Sequence, residues 1–375
     1  MQRSILFYYR LPFLPTAGGV ERVSCVLGEW LESRGHKVYY LSDEFVRSEN
    51  SIFIHNHIGL DDADNFAALE RFVNENSVNI IINQSAFFPS SRRLFDLNKY
   101  GVKIISVVHN SLCAMYSHPP FPITSSRTQR ILDSIFVTSL FKAFFYLKYH
   151  TFLRYMVKHS YKVVVLSKCY FKELERFACK SDNVIAISNP VTLQLDYENC
   201  VKENAVCFVG RLSWQKRPDI LLEIWKRVEH KSEWHLYILG DGNLRPLLEK
   251  RIKEEKIKNV TLEGCQDPRP YLRRAKILCL TSAYEGFPLV LFEAMGFGLA
   301  PIAFDTFGSA RDIIRDGYNG CLVSGMNKDI YADVLLDLME NNEKLKMYQA
   351  NAIEVAKNNV VDEVGKHWEK LFDTI

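Results

Sequence analysis

Short, almost uninterrupted apolar runs recur along the chain, and polar segments with helical spacing separate them. Runs that are apolar at nearly every position are typical of parallel strands buried on both faces. They predict strands at 4–9, 37–41, 51–58, 78–82, 102–108, 161–166 and 183–187, and then at 205–209, 234–239, 260–262, 277–280, 300–304 and 321–323. The alternation therefore predicts an α/β protein with parallel sheets.

Each half of the chain opens with a strand, a glycine-containing loop and a helix. Helices are predicted at 20–33 and 61–74, then at 218–229, 288–295, 311–315, 328–340 and 342–358, with a separate amphipathic segment at 361–372. A polar stretch after Asn189 and Pro190 indicates a domain boundary. The pattern predicts two facing Rossmann-like domains, with the ligand pocket in the cleft between them.

The stretch from Thr281 to Gly298 carries two acidic residues in apolar surroundings. It is expected to form a strand end, a loop with Glu285, and a helix whose first residue is Pro288, where the missing N–H does no harm. That helix is apolar on every side except at Glu293, and a buried carboxylate needs a hydrogen-bonding partner. Glu293 either caps or pairs with a neighbouring element, or holds the hydroxyl groups of a ligand; the sequence favours neither.

Five residues in strand-end loops are further candidates. Gly18 and Gly19 precede the first helix, where backbone N–H groups can approach an anion, although a plain turn is the commoner explanation. His109 follows a predicted strand at the edge where ligands bind in parallel sheets, although a lone histidine is more often structural. Arg211 and Lys216 flank a strand-to-helix turn and could clamp phosphates; solvated surface cations are the alternative.

Residues 134–172 contain seven lysines and arginines, many aromatic residues and no acidic residue. At about 100° per residue, Lys148, Arg154, Lys158 and Lys162 fall within one third of a helix circumference. Such a helix can lie on an anionic membrane surface. The alternative, equally supported, is a long helix that packs its aromatic residues into its own domain. Nucleic-acid binding is less well supported, because the basic residues stay local.

Composition adds limits to this picture. A length of 375 residues favours two domains, and 47% hydrophobic with 24% charged residues is ordinary for a globular protein. The net charge of +3 does not indicate nucleic acid, and the nine scattered cysteines indicate reduced thiols in a cytosolic protein without a metal site. Arg10 and Pro12 interrupt the N-terminal apolar run too early for a signal peptide, and no run reaches transmembrane length.

Six ordered motifs resemble those of retaining nucleotide-sugar glycosyltransferases of the GT-B superfamily, the large bacterial family 4-like group related to sucrose synthases and to α-mannosyl- and α-glucosyltransferases. They are Gly18-Gly19-Val20-Glu21, His109, Asn189-Pro190-Val191, Phe208-Val-Gly-Arg211-Leu with Lys216, Leu239-Gly-Asp-Gly242, and the pair Glu285 and Glu293. The chain departs from the family pattern at two positions. Arg217 stands where glycine often follows the lysine, and Asp312 stands where glutamate is usual.

The resemblance implies a GT-B fold, which is α/β and has two facing Rossmann-like domains with an inter-domain cleft. Residues 1–190 would form the acceptor-binding domain and residues 191–359 the nucleotide-sugar-binding domain. The C-terminal helix, about 360–375, would cross back to the first domain.

The resemblance also implies roles for individual residues. Arg211 and Lys216 would neutralise the diphosphate as it leaves, and Glu285 would bind hydroxyls of the donor sugar; with His109 these form the implied catalytic group. Glu293 would hold the ribose hydroxyls. The other implied donor contacts are Gly18 and Gly19 in the first domain, the backbone of Phe287, Pro288 and Leu289, and Gly264, Cys265 and Gln266 near the base.

The implied reaction moves a hexose, with retention of anomeric configuration, from a nucleotide-diphosphate sugar to a glycan or lipid-linked acceptor. The expected carrier is UDP, and the expected process is cell-surface polysaccharide or lipopolysaccharide biosynthesis. We expect neither metal nor cofactor, because cations would meet the leaving charge and Asp62 and Asp64 indicate a helix start. The alternatives are a GT-B epimerase or phosphorylase, or a non-catalytic sugar-nucleotide-binding protein.

A lipid-linked acceptor would require the protein to lie at a membrane surface, and the basic aromatic segment of residues 134–172 could make that contact. Lys148, Arg154 and Lys158 are the residues expected to contact an anionic membrane. The protein is therefore expected in the cytoplasm, peripheral on the inner face of the cell membrane. Its expected partners are a nucleotide-sugar donor and a glycan or lipid-linked acceptor, without nucleic acid.

Overall fold

The computed structural model describes residues 2–14, 18–42, 51–53, 59–112, 135–198 and 200–375, with only the backbone at 51–53, 135–142 and 145. These residues form two compact units. The first unit contains the described residues up to Thr192 together with Val360–Ile375, and the second contains Leu193–Asn359.

The first unit is built around a seven-stranded parallel sheet of order β3-β2-β1-β4-β5-β6-β7. Its strands are β1 (Ser4–Tyr9), β2 (Lys37–Ser42), β3 (Ser51–Phe53), β4 (Ile80–Asn83), β5 (Lys103–Val108), β6 (Lys162–Val165) and β7 (Val184–Ala186). Its helices are α1 (Gly19–Ser33), α2 (Ala63–Glu75), α3 (Ile135–His159) and α4 (Tyr170–Phe177), with 3-10 segments at Gly59–Asp61 and Pro89–Tyr100. The central strand β1 is buried on both faces, which explains its continuous apolar run.

The second unit has a six-stranded parallel sheet of order β10-β9-β8-β11-β12-β13. Its strands are β8 (Ala205–Val209), β9 (His235–Leu239), β10 (Val260–Gly264), β11 (Ile277–Leu280), β12 (Ala300–Asp305) and β13 (Cys321–Ser324). Its helices are α5 (Pro218–Val228), α6 (Arg245–Glu254), α7 (Arg269–Arg274), α8 (Leu289–Gly296), α9 (Ala310–Ile313), α10 (Lys328–Glu340) and α11 (Asn342–Lys357).

The C-terminal helix α12 (Val361–Phe372) belongs to the first unit, where it packs against α1. Trp30 of α1 donates from its indole Nε1 to Asp362 at 2.8 Å. A side chain at Gly365 would come within 2.6 Å of the Trp30 ring, so the close helix contact requires glycine there. Arg34 and Glu369 form an ion pair at 3.0 Å on the same seam. The return of the C-terminal helix to the first unit is the arrangement expected of the predicted fold.

Both sheets reverse their direction of growth next to their first strand. In each unit the chain adds two strands on one side of the first strand and then crosses to the other side, between β1 and β4 and between β8 and β11. Ligands of open parallel sheets bind at the carboxyl ends of the strands beside such a reversal. The loops after these four strands are therefore the places to look for function.

The structure confirms the alternating pattern and corrects several details. Asp62 caps α2 by accepting from the N–H groups of Asp64 and Asn65, as the helix-start interpretation predicted. Pro288 is the residue before helix α8 rather than its first residue. Helix α3 ends at His159, so Lys162 lies in β6 and leaves the predicted basic face. The predicted strand 51–58 is described only at 51–53, since 54–58 lie outside the described residues.

Candidate active site

Two loops meet at the reversal point of the second sheet. One follows β8 and carries Lys216 before α5 begins, and the other follows β11 and carries Glu285 before α8. Strands β8 and β11 are hydrogen-bonded neighbours and run in the same direction, so both loops leave the same edge. The fold thus brings together residues that are 69 positions apart in sequence.

Lys216 and Glu285 form a largely buried ion pair. The Lys216 ammonium lies 2.5 Å from Glu285 Oε1, and the two side chains are 20% and 7% exposed. Ser282, which is fully buried, donates from its hydroxyl to the same carboxylate oxygen at 2.6 Å. A buried carboxylate requires such partners. Lys216 and Ser282 therefore fix the position of Glu285.

Backbone contacts hold the two loops against each other. The Ala283 N–H donates to the Gln215 carbonyl at 2.7 Å, and the Gln215 side-chain amide donates to the Tyr284 carbonyl at 3.1 Å. The Thr281 hydroxyl lies within hydrogen-bond distance of the carbonyls of Lys216 (3.1 Å) and Arg217 (3.0 Å). Because each of these hydrogen bonds is accepted by a main-chain carbonyl of one of the two loops, the loops hold the Lys216–Glu285 pair in a fixed geometry.

Arg217 occupies a conformation that glycine adopts more easily. Its φ of 51° and ψ of 49° are left-handed, which explains why glycine often stands at this position in the family pattern. The guanidinium forms a two-point contact with Asp219 at 3.0 Å and 2.9 Å. This local ion pair offsets part of the free-energy cost of the left-handed backbone and engages the Arg217 guanidinium with Asp219. Lys216 is thus the residue of the two that contacts Glu285.

Arg211 differs from Lys216 in its surroundings. It follows Gly210 and its side chain is exposed, with no ion pair to it among the residues that the structure describes. Two hydrogen bonds join the Gly210 loop to the end of β9 and the loop after it. The Gly210 N–H donates to the Leu239 carbonyl at 3.0 Å, and the Leu212 N–H donates to the Asp241 carbonyl at 2.9 Å. The loop is fixed while the Arg211 side chain remains available to an anion.

Helix α8 begins beside Glu285 and carries the second glutamate. Glu293 is 2% exposed, as its apolar surroundings predicted. Phe287, just before the helix, stacks on Phe292 with ring centroids 5.4 Å apart. The Ser309 hydroxyl donates to the Gly286 carbonyl at 2.8 Å and fixes the turn into the helix. These contacts define the path of the Phe287-Pro288-Leu289 backbone.

The segment Gly264-Cys265-Gln266 lies at the end of β10. The Gly264 carbonyl accepts from the Gly240 N–H at 2.7 Å, which ties this segment to the loop after β9. Cys265 and Gln266 are exposed, and the Gln266 amide donates to the Glu263 carbonyl at 3.1 Å. The loops after β8, β9 and β10 are therefore linked in series at one edge of the sheet.

The glycine pair of the first unit is packed against an acidic side chain. Gly18 precedes α1, which begins at Gly19. Glu21 is 5% exposed, and its carboxylate would lie 2.4 Å from a Cβ atom added at Gly18. A residue with a side chain at Gly18 would have to displace Glu21. The close packing accounts for the pairing of Gly18 with Glu21 in the motif.

His109 follows β5 and contacts the loop after β4. Its Nε2 lies 2.5 Å from Oε1 of Gln84, a residue that is 5% exposed. Burial lowers the pKa of His109 to about 4. The ring is therefore neutral near pH 7. His109 lies in the first unit and the Lys216–Glu285 pair in the second.

The exposed face of α3 combines apolar and basic residues. Phe144 and Leu147 are 61% and 68% exposed. Lys148, Arg154 and Lys158 are exposed as well, and at about 100° per residue all five lie within one third of the circumference. Other aromatic residues of α3 pack inward, as Tyr149 does on Phe87 at 4.7 Å. Helix α3 thus packs aromatic residues into its own unit and keeps basic residues exposed, and contact of this face with a membrane stays a prediction.

Comparison with known proteins follows the same division of the chain. Residues 17–195 match the family described as Glycosyltransferase Family 4, and residues 196–355 match the family described as Glycosyl transferases group 1. The chain belongs to the family 4-like glycosyltransferases. Its predicted family and its GT-B fold are thereby confirmed.

Individual relatives of the chain agree with the family. A Campylobacter jejuni α-1,4-N-acetyl-D-galactosaminyltransferase, named for a diNAcBac-PP-undecaprenol-linked substrate, is 30% identical over 207 residues. That match covers 54% of this chain and 56% of the relative, so it spans about half of each. An uncharacterized Haemophilus influenzae glycosyltransferase is 26% identical over 95% of this chain and 96% of its own.

Among solved structures, HepE from Anabaena in complex with UDP and glucose has a TM-score of 0.74. HepE is 15% identical to this chain, and the alignment covers 100% of both chains. At this identity the likeness shows the fold alone.

Sequence patterns located most candidates of the glycosyltransferase but not their partners. Ser282 and Gln84, which contact Glu285 and His109, were not singled out. Ser282 stands three residues before Glu285, and that spacing is the only sequence signal for it. In the described part of the chain, no group of three or more His, Cys, Asp and Glu residues could hold a metal ion. The described helices include none long and apolar enough to cross a membrane.

Proposed function

We propose that the chain is a retaining, metal-independent hexosyltransferase that uses a UDP-sugar. Its acceptor is a glycan or a lipid-linked glycan of cell-surface polysaccharide or lipopolysaccharide biosynthesis. The observation that carries the proposal is the buried Lys216–Glu285 pair at the reversal point of the second sheet, in a chain of the family 4-like glycosyltransferases.

Lys216 suits the diphosphate of the donor, and Glu285 suits its sugar. As the bond between the sugar and the diphosphate breaks, negative charge grows on the leaving diphosphate, and Lys216 and Arg211 are the cations to meet it. Glu285 can accept hydrogen bonds from sugar hydroxyls. In the structure Lys216 is bound to Glu285 instead. Donor binding would then draw Lys216 towards the diphosphate and leave Glu285 to the sugar.

The remaining donor contacts are part of the same proposal. Glu293 holds the ribose hydroxyls, and the Phe287-Pro288-Leu289 backbone meets the donor where the dipole of α8 favours negative charge. Gly264-Cys265-Gln266 lies near the base. In the first unit, Gly18 and Gly19 contact the phosphates and His109 contacts the sugar. Two similar proteins support the substrates: the HepE structure is a complex with UDP and glucose, and the Campylobacter enzyme is named for an undecaprenol-linked glycan.

The anomer released to water tests the reaction without a known acceptor. We expect time-resolved NMR of a panel of UDP-α-hexoses, incubated with the protein, to show the α-hexose first, before mutarotation. Because cations rather than a metal meet the leaving charge, EDTA is expected to change the rate less than twofold. A folded Glu285→Ala variant controls for contaminating hydrolases. Release of the β-hexose first, or loss of activity in EDTA, would contradict the proposal.

We also propose that the exposed face of α3 contacts anionic lipid on the inner face of the cell membrane. Phe144 and Leu147 supply apolar contact, and Lys148, Arg154 and Lys158 supply charge. Attraction of basic residues to an anionic surface contributes about 1 kcal/mol for each residue.

Changing Lys148, Arg154 and Lys158 together to glutamate is expected to weaken binding to phosphatidylglycerol vesicles about 100-fold, because about 3 kcal/mol of attraction is lost. Binding of the unaltered protein is expected to fall as salt rises. Vesicle flotation measures both effects. The matched control changes Lys250, Lys253 and Lys346, exposed residues of the second unit, to glutamate. Equal weakening in the control, or no binding by the unaltered protein, would refute the membrane contact.

A further inference from the structure

Gln84 and His109 lie at the same edge of the first sheet. Gln84 directly follows β4 and His109 directly follows β5, and these two parallel strands are hydrogen-bonded neighbours. The Gln84 N–H donates to the Tyr8 carbonyl of β1 at 2.8 Å, so its backbone is anchored to the central strand. Gln84 therefore connects the reversal point between β1 and β4 to the histidine.

The side-chain contact fixes which ring nitrogen carries the proton. His109 Nε2 lies 2.5 Å from Gln84 Oε1, and an amide oxygen only accepts, so Nε2 must donate. A neutral imidazole carries one proton, which leaves Nδ1 as an acceptor. Nδ1 is buried and has no hydrogen-bond partner in the described part of the chain. The reverse orientation of the Gln84 amide would place the proton on Nδ1, and this is the arrangement to test against.

Neighbouring polar groups hold the Gln84 segment in place. The Ser85 N–H donates to Asn83 Oδ1 at 3.0 Å, and the Arg10 N–H donates to the Ser85 hydroxyl at 2.9 Å. The first bond closes the loop after β4 around Gln84, and the second ties that loop to the loop after β1. Because Gln84 is itself 5% exposed, its amide has little freedom to leave the imidazole.

Two charged residues contact the segments that carry Gln84 and His109. Glu173 of α4 accepts from the Ser111 hydroxyl at 2.8 Å, and Arg10 lies on the loop after β1. Burial alone lowers the pKa of His109, without a contribution from either residue. A neutral amide at position 84 leaves the imidazole neutral. A carboxylate there would favour the imidazolium instead.

We propose that Gln84 is the positioning residue for His109, holding its imidazole neutral and protonated at Nε2. The consequence for transfer rests on the proposed function, in which His109 contacts the donor sugar. There His109 would be a neutral ring held in one orientation rather than a cation. The proposal concerns a residue that the family motifs found in the sequence do not include.

Histidine nitrogen chemical shifts test the assignment directly. In the protein labelled with ¹⁵N-histidine, we expect the His109 signals, identified by their loss in His109→Asn, to show Nε2–H and a bare Nδ1 from pH 8 to pH 5. A proton on Nδ1 would overturn the assignment without any variant at position 84.

Two substitutions at position 84 separate positioning from mere packing. Gln84→Glu is expected to raise the titration midpoint of His109 by one unit or more and to add a matching inflection to the pH profile of kcat. Gln84→Leu is expected to give a mixture of tautomers and to lower kcat about tenfold with KM little changed. Gln2→Glu, which adds the same charge at an exposed position, controls for net charge.

The outcomes distinguish this inference from the proposed function. Unchanged tautomer and titration in both variants would overturn the role of Gln84, whatever their activity. A changed tautomer with unchanged kcat would refute the link to transfer while the contact itself stands. Absence of any transfer activity in the unaltered protein would count against the proposed function. The NMR result on Gln84 would be unaffected.

Discussion

Replacing Lys216 with alanine is expected to lower kcat by about 10²–10³-fold, the loss typical when a group that stabilises developing negative charge is removed. Lys216 is the cation placed beside Glu285 at the edge where the donor is proposed to bind. The same change leaves the Glu285 carboxylate buried, with Ser282 as its remaining side-chain partner among the residues that the structure describes. Steady-state kinetics with a UDP-sugar measure the catalytic loss, and thermal unfolding measures the cost to the fold.

A double-mutant cycle separates these two effects. Lys216→Met, Glu285→Gln and the double variant are expected to show a coupling of about 0.5–3 kcal/mol in unfolding free energy, because the side chains are in direct contact. Lys226→Ala is the matched control, since it breaks an exposed lysine–glutamate pair, 3.0 Å from Glu255, away from the site. A folded Lys216→Ala variant with kcat within twofold of the unaltered protein would show that Lys216 has no role in transfer.

Gly240→Ala is expected to be the most disruptive change to the fold among those considered. Gly240 has a φ of 130°, and an added Cβ would lie 2.0 Å from the Gly210 carbonyl oxygen. Backbone strain and overpacking each cost about 1–3 kcal/mol, and both apply here. The Gly210 loop would have to move, and with it Arg211 and Lys216. Denaturant unfolding of the purified variant measures the loss of stability.

Gly317→Ala supplies the control for that experiment. Gly317 has a φ of 74° but nothing lies within 4 Å of an added Cβ. It therefore carries the backbone cost without the collision, and we expect it to lose about 1 kcal/mol. Equal destabilisation by the two substitutions would mean that contact between the loops after β8 and β9 contributes little.

The sequence predicted the sheets and most helices because parallel strands buried on both faces leave continuous apolar runs. It did not predict α6, since that helix is mostly charged and buries only Leu248. A helix without an apolar stripe has no hydrophobic periodicity by which the sequence could reveal it. Helix α7 was not predicted either, and it too buries a single residue, Leu272. Helix α8 was found, but its start was placed one residue early at Pro288.

The candidate site shows the same limit at the level of side chains. Glu285 and Lys216 could be singled out from their loops, yet their direct contact depends on β8 and β11 being neighbours. Strand order is a property of the folded sheet. For the same reason the sequence alone does not indicate Gln84, since its contact with His109 depends on β4 and β5 being neighbours. Residues that position other residues can therefore be identified only when the order of the strands in the folded sheet is known.

Thermal unfolding with nucleotide sugars tests most directly whether the second unit holds a nucleotide-diphosphate sugar at the Lys216–Glu285 pair. A ligand at 100 times its dissociation constant stabilises a protein by about 2.7 kcal/mol. We expect a UDP-sugar to raise the melting temperature of the unaltered protein and, at the same concentration, to leave that of Lys216→Ala nearly unchanged. No shift with any nucleotide sugar, or equal shifts in the two proteins, would contradict the proposed site.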